Sequence, residues 1–304
     1  MSNIRTDLAC ELRDEAMKKY AKDHKGLPDG IEEHSRRCGE DILTEVIDIK
    51  TEDAAALLER PMGKYITVTL KSARELDFHG LCDISGEVAR CLSELIRAVC
   101  PSGKSAMFCG LGNRMLSADA IGPAASDRVI VTRHIKRENP DIYSKCGFFD
   151  LCVISPGVTA QTGMEAYEII KSAVEVEKPD FLIVCDALAA RESTRLAKTI
   201  QLSDSGISPG SGVGGRHAEI SRRTVGIPVI AIGVPTVVDA STLAGDILRA
   251  AGKNDAEGIS AAQDGLFVSP DNIDVISKNL ALIIAFSVNR ALHGNIPVEE
   301  MLLM

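Results

Sequence analysis

The stretch Phe181-Leu182-Ile183-Val184-Cys185-Asp186 places five apolar residues directly before a carboxylate. An apolar run without polar alternation is typical of a central parallel strand that is buried on both faces of a sheet. In open α/β sheets, functional sites collect beyond the carboxyl ends of such strands. The stretch therefore predicts a central strand, with Asp186 emerging at its end in a well-held position.

The same pattern continues outward from this strand along most of the chain. From Tyr65 onward, short β-branched apolar runs alternate with longer segments of helical periodicity, which is the pattern of strands joined by crossover helices. The predicted strands are 65–70, 105–109, 150–154, 181–185 and 228–232. The predicted helices are 84–99, 163–176, 237–251 and 272–292. The fold class is therefore α/β, a three-layer sandwich with a mostly parallel central sheet.

Two segments depart from this alternation. Residues 8–64 are rich in charge and interrupted by glycine and proline, so we expect a mixed N-terminal extension at an edge of the single domain 8–304. Residues 203–223 hold five glycines, Pro209, three arginines and His217, and such a loop is suited to line a substrate cleft.

Composition narrows the classes of protein. With 304 residues, 45% of them hydrophobic and 25% charged, the chain is expected to fold compactly. A net charge of −9 argues against nonspecific nucleic-acid binding, which depends on Lys and Arg. We identify neither an apolar run long enough to span a bilayer nor a secretion signal, and expect a cytoplasmic protein. The nine cysteines form no C-x-x-C pair, which fits reduced thiols better than disulfides or a metal cluster.

A second carboxylate follows the predicted strand 105–109. Asp119 lies in the loop 110–123, where Gly112 and Gly122 permit a tight backbone. If Asp119 and Asp186 meet over a peptide bond, their repulsion favours a shared proton: one carboxylate activates water while the neutral acid protonates the leaving group. The alternative is that each aspartate caps a helix or forms an ion pair.

Other catalytic patterns are weaker. The Gly110-Leu111-Gly112 sequence lacks the third glycine of a dinucleotide fingerprint, which would fall at Met115, and no P-loop lysine follows. Ser211 does not lie in G-x-S-x-G. No two histidines have metal-ligand spacing, and His134 is expected to be a structural helix residue. We therefore predict neither a cofactor nor a bound metal.

Long strings of the sequence resemble the spore germination protease family. They include Ile4-Arg5-Thr6-Asp7-Leu8-Ala9, the segment 110–123, Val131-Thr132-Arg133-His134, Pro156-Gly157-Val158, Thr162-Gly163 with Glu165, Asp186-Ala187-Leu188-Ala189-Ala190-Arg191, and the strings within 203–214 and 228–240. The resemblance covers most of the chain, although 252–265 is shorter than expected from Bacillus members.

The resemblance implies an endopeptidase that hydrolyses small acid-soluble spore proteins during germination, in the spore core. It also implies a homotetramer and an inactive precursor that processes itself. Its proposed catalytic aspartates fall on Asp119 and Asp186, and its processing site falls between Asp7 and Leu8, which makes residues 1–7 a propeptide. The cut follows an acidic residue and precedes an apolar and then a small one, so it could mimic the substrate.

The family is similar in fold to hydrogenase maturation endopeptidases, which place acidic metal-binding residues near Asp119 and Asp186. The histidine that completes their metal site has no counterpart here, so a metal-independent pair is preferred. Two alternatives stay open: an endopeptidase of the hydrogenase maturation type, and a noncatalytic α/β binding module.

Overall fold

The computed structural model describes residues 6–20, 27–210, 217–252, 265–294 and 296–301. The strands are β1 Ile31–Cys38, β2 Ile42–Ile49, β3 Gly63–Leu70, β4 Ser105–Gly110, β5 Asp150–Ile154, β6 Phe181–Ala190, β7 Thr199–Ser203, β8 Val229–Asp239 and β9 Phe267–Val268. The helices are α1 Ala9–Tyr20, α2 Glu52–Leu58, α3 Phe78–Val99, α4 Ile121–Ser126, α5 Arg133–Glu138, α6 Pro140–Cys146, α7 Thr159–Thr162, α8 Ala166–Glu177, α9 Arg222–Val225, α10 Ala240–Ala250, α11 Ile273–Leu292 and α12 Val298–Met301.

All of these strands belong to one sheet, in the order β1-β2-β3-β7-β8-β6-β4-β5, with β9 paired to β8. Strands β8, β6, β4 and β5 are parallel to one another, whereas the other pairings are antiparallel. The α/β class with a large central sheet between helices is confirmed. Its antiparallel share is larger than the sequence indicated, because β1, β2, β3 and β7 join the same sheet through antiparallel pairings.

Alternation along the strands divides the core between the two faces of the sheet. On one face, Phe108 and Ile183 pack with α3, α4 and α11. On the other face, Met107 and Val184 pack with α8 and α9. Because β-strand side chains alternate with period two, Asp186 lies on the same face as Val184.

That second face has two separate groups of covering helices. Helices α8 and α9 cover the parallel strands, while α1 and α2 cover the antiparallel strands around Ile47 and Tyr65. Leu188 and Ala190 at the end of β6 already belong to the cluster under α1. Asp186 therefore lies between the two groups of helices, where the sheet can be reached.

Helix α11 is the most apolar of the long helices among the described residues. An 18-residue window of this helix reaches a mean hydropathy of 1.4, so the helix is long and apolar enough to cross a membrane by length and composition, although Lys278 and Arg290 interrupt its apolar run. Most of its apolar side chains, Leu280 and Ile284 among them, are instead buried against α3, α4 and the sheet. Burial on several sides explains the composition of this core helix.

The structure corrects several element boundaries: α3, predicted from residue 84, begins at Phe78, and two other corrections lie close to Asp186. Residues 237–239 were predicted to begin a helix, but they continue β8, because they pair with the end of β6 and with β9. Strand β6 was predicted to end at Cys185, but it runs on to Ala190. Asp186 is therefore inside a strand and not beyond its end.

The carboxyl edge of the sheet nevertheless passes through Asp186. Strand β4 ends at Gly110, which pairs with Cys185, so β6 continues past this point with β8 as its ladder partner.

All nine cysteines are free thiols, as expected. Residues 1–5 of the predicted propeptide, 211–216 of the glycine-rich loop and 253–264 of the shortened region lie outside the described residues.

Candidate active site

The two aspartates singled out in the sequence line one cavity at the carboxyl edge of the parallel strands. Its volume is about 690 Å³, and it is called the acid cavity below. Polar residues around it include Asp7, Asp119, Glu165, Asp186, His217 and Thr236. Much of the remaining wall is apolar, with contributions from Leu111, Leu116, Val158, Tyr167, Leu188, Val237, Phe267 and Ile273.

A tight loop carries Asp119 from the end of β4 towards β6. Gly112 has a φ of +112°, and a Cβ placed there would lie 2.1 Å from the carbonyl oxygen of Asp119. The Asp119 carboxylate folds back over the loop and accepts the backbone N–H of Asn113 at 2.7 Å. Only glycine fits at position 112, because a side chain would combine backbone strain with this clash.

Gly122 presses the same segment onto β6. A Cβ on Gly122 would lie 2.2 Å from the carbonyl oxygen of Leu111 and 2.7 Å from that of Cys185. The backbone N–H of Leu111 also donates to the Cys185 carbonyl at 2.8 Å. This close packing brings the loop that carries Asp119 against the strand residue directly before Asp186.

Electrostatics distinguish the two acids. Burial raises the pKa of Asp186 well above its usual range, and the nearby charges of Asp119 and Asp7 raise it further, while the hydrogen bond from the Ala187 N–H at 2.9 Å partly opposes them. Burial also raises the pKa of Asp119, against the lowering effect of the Asn113 N–H. Asp186 is 5% exposed and Asp119 more so, which makes Asp186 the better holder of a proton.

A third carboxylate comes from the N-terminal segment. The Asp7 carboxylate accepts the backbone N–H of Ala189 at 2.9 Å, and its charge acts on Asp186. Asp7 and Leu8 are both buried. The sequence identified Asp7 through the processing site of the family, and it gave no sign that this residue lines the cavity.

Another wall of the acid cavity holds a His–Glu pair. His217 Nδ1 lies 2.9 Å from Glu165 Oε2, and this hydrogen bond lowers the pKa of Glu165. Glu165 also caps the N-terminus of α8. Pro209 and Gly210 line the cavity on the same loop as His217, so the described ends of the segment 203–223 do reach this cleft.

The described residues contain no group of three or more His, Cys, Asp or Glu side chains that could hold a metal ion. His134, set aside in the sequence, lies on α5 and does not line the acid cavity. The carboxyl groups of Asp119 and Asp186, one partly buried and one buried, offer proton transfer as their chemistry.

Comparison with known proteins identifies the family. The germination protease family model matches residues 7–261. The chain belongs to the germination protease family. The germination protease of Clostridium perfringens strain 13 is 39% identical over 326 aligned positions, which cover 99% of this chain and 98% of the relative. That of Bacillus subtilis strain 168 is 40% identical over 244 positions, covering 80% of this chain and 65% of the relative.

This germination protease family member is thus a peptidase of spore germination. Among solved structures, a NiFe hydrogenase maturation protease from Thermococcus kodakarensis aligns with 66% of this chain and 99% of its own, at 16% identity and a TM-score of 0.36.

Proposed function

We propose that the protein cleaves small acid-soluble spore proteins by an aspartic-type mechanism in which Asp119 is the base and Asp186 the acid. The observation that carries this proposal is that Asp119 and Asp186, which differ in burial, line one cavity in a member of a peptidase family. Two carboxyls close together divide their protons, and the more buried one keeps its proton longer.

In the proposed reaction, the ionised Asp119 takes a proton from water as the water oxygen bonds to the peptide carbonyl carbon. Asp186 gives its proton to the leaving nitrogen as the C–N bond breaks. The products are a carboxylic acid and an amine, and a proton passing from Asp119 to Asp186 restores the starting state. The apolar wall supports this assignment, because a cavity that excludes water strengthens interactions between charges.

The precursor form is part of the proposal. Cleavage between Asp7 and Leu8 would remove residues 1–7 and leave a domain from residue 8 to residue 304. The position of Asp7 in the acid cavity supports this site. The homotetramer and the location in the spore core rest on the family resemblance and remain proposals.

The test is to incubate the protein with an α/β-type small acid-soluble spore protein and to analyse the fragments by mass spectrometry. We expect cleavage at an acidic–apolar junction, unchanged by EDTA. Asp119→Asn and Asp186→Asn should each lower kcat by roughly 10³-fold or more, because each removes a group that moves a proton.

Variants of the catalytic acids should be made in chains that already begin at Leu8, so that a missing processing cut is not mistaken for lost chemistry. Near-normal cleavage by a folded Asp119→Asn variant would exclude Asp119 from the reaction. Cleavage that EDTA abolishes would favour a metal-dependent enzyme. No proteolysis at all by the parent protein would favour a binding module.

A further inference from the structure

The segment from Thr6 to Ala9 lies against the sheet through its main chain. The Asp7 N–H donates to the Ala189 carbonyl at 3.0 Å, and the Arg60 side chain donates to the Thr6 carbonyl at 3.1 Å. Leu8 is 0% exposed. The Leu8 N–H donates to the Thr6 hydroxyl at 3.0 Å, so the bond between Asp7 and Leu8 is held in place directly before α1.

The Gln201 side chain brackets this bond. Its Nε2 donates to the Asp7 carbonyl at 3.2 Å, and its Oε1 accepts the Ala9 N–H at 2.6 Å. The two partners fix the orientation of the amide, since a carbonyl needs a donor and an N–H needs an acceptor. Gln201 Nε2 thus contacts the carbonyl of the proposed cleaved bond, and this contact does not depend on which side chain the residue carries.

The main chain of Ala189 forms hydrogen bonds with both the backbone and the side chain of Asp7. Its C=O accepts the Asp7 N–H, and its N–H donates to the Asp7 carboxylate. A register shift between Leu188 and Ala189 accompanies this contact, with Thr236 of β8 as the extra residue. A backbone N–H that points at a carboxylate favours an acidic side chain over a neutral one.

These groups are aligned with the catalytic candidates across the sheet. Gln201 pairs with Gly233, and Gly233 pairs with Asp186, so Gln201 and Asp186 lie in one row on the same face, about 10 Å apart. Glycine leaves the middle of that row without a side chain. Leu188 lies over it, and a Cβ on Gly233 would meet the Leu188 side chain at 2.3 Å.

We propose that Gln201 and the main chain of Ala189 form the subsite for the substrate residue that precedes the cleaved bond, and that Asp7 occupies it in the uncut chain. The subsite takes an aspartate-like acidic peptide residue. This inference rests on the proposed function, because it needs the acid cavity to be the site of peptide hydrolysis.

Removal of residues 1–7 would vacate the subsite without disorganising it. Ala9 stays with the enzyme, and its N–H continues to hold Gln201 Oε1. Gln201 Nε2 is thereby kept directed at the place that the Asp7 carbonyl has left. The processed enzyme presents a preorganised donor to the carbonyl of the next peptide.

The experiment uses enzyme purified from expression of the full chain, with its N-terminus determined by mass spectrometry. The substrates are the peptide Ile-Arg-Thr-Asp-Leu-Ala and versions in which Asp is replaced by Asn or Ala. For the wild type, kcat/KM should fall about 30-fold when the acid is replaced, since a charged hydrogen-bond partner is lost.

Gln201→Met keeps the length of the side chain and removes the amide. We expect kcat/KM to fall about 10-fold on every peptide, while the ratio between the Asp and Asn peptides stays unchanged, because Ala189 still reads the acid. Gln161→Met is the matched control: this exposed glutamine donates to Asn113 at 2.8 Å and does not line the acid cavity. Its kcat/KM should stay within about twofold of the wild type.

Two outcomes would overturn the subsite while the proposed function stands: a wild type that cuts the Asp and Asn peptides equally well, or a folded Gln201→Met variant within about threefold of the wild type. The peptide series needs no variant, so it decides the matter even if Gln201→Met does not fold. A wild type that cuts neither these peptides nor spore protein would reject the proposed function and the subsite together.

Discussion

Two aspartates, one at each end of the parallel strands, are equally buried and electrostatically opposite. Asp150 begins β5 at the amino end and is 6% exposed, and Asp186 lies at the carboxyl edge and is 5% exposed. Asp150 accepts hydrogen bonds from Arg133 at 2.7 Å and Lys136 at 2.8 Å. Asp186 has other carboxylates as its charged neighbours.

The opposite pKa shifts of Asp150 and Asp186 are set by their charged neighbours, since the two side chains are equally buried. Burial alone would raise the pKa of Asp150, but the hydrogen bonds from Arg133 and Lys136 outweigh it and lower that pKa. At Asp186, burial and the charges of Asp119 and Asp7 act in the same direction and raise the pKa. One end of the sheet holds a structural ion pair, whereas the other keeps a proton available for transfer.

The largest expected difference between the two ends is in catalysis. Asp186→Asn should lower kcat for spore-protein cleavage by roughly 10³-fold or more, whereas Asp150→Asn should change kcat by less than about threefold. Both variants should be assayed at a temperature at which circular dichroism shows them folded. Equal losses in the two would mean that Asp186 acts through the fold, as Asp150 does.

The next largest effect should come from disturbing the close packing at Gly122, which holds the loop of Asp119 against β6. Gly122→Ala forces a Cβ against the carbonyls of Leu111 and Cys185, so it should move the loop of Asp119 and lower kcat/KM by about 100-fold. Gly245→Ala is the matched control, because nothing lies within 4 Å of the added Cβ and the residue is helical. A Gly122→Ala enzyme as active as Gly245→Ala would show that the spacing of the acids tolerates movement.

The ion pair should dominate stability. Asp150→Asn leaves Arg133 with Glu177 as its carboxylate partner and should lower the free energy of unfolding by about 2 kcal/mol at pH 7. Asp150 has a lowered pKa in the folded state, so its contribution is present above the ordinary pKa and is lost as pH falls through the folded value. Urea unfolding at pH 7 and pH 3.5 measures this, and a deficit that does not shrink in acid would contradict it.

The smallest expected effect is a gain in stability on Asp186→Asn, opposite in sign to the loss on Asp150→Asn. Asp186 has a raised pKa in the folded state, so the wild type loses stability as pH rises from the ordinary aspartate value towards the folded one. Asn cannot ionise, and Asp186→Asn should therefore raise Tm by a few degrees at pH 7.5, with little change near pH 3.5. Calorimetry at the two pH values checks this, and a variant less stable than the wild type at pH 7.5 would argue for an ionised, well-solvated Asp186.

Local patterns predicted much of this architecture. The apolar run at 181–185 predicted the core of β6, and strand β5 was predicted with its observed limits, because both are short runs of mostly apolar residues. Residues 237–239 were predicted as helix because apolar residues such as Val237 and Val238 fit the buried face of a helix as well as that of a strand. Pairing with β6 and β9 decides their conformation, and pairing is not local.

The candidate site was predictable in part. Asp119 and Asp186 could be selected because each follows an apolar strand-forming run. Gln201 and Asp7 could not be connected, since 194 residues separate them and their hydrogen bond involves a backbone carbonyl that carries no sequence signal. The Glu165–His217 pair was hidden for the same reason, because its partners come from different loops.

The sequence by itself determined the alternating strands and helices, the two candidate acids and the family, because hydrophobic periodicity and long matched strings are properties of the chain. The tertiary structure decided which buried aspartate is neutralised by cations and which faces other acids. Those charge states depend on distances between groups far apart in sequence, and only the pairing of β6 with its neighbours and the close packing at Gly122 set those distances.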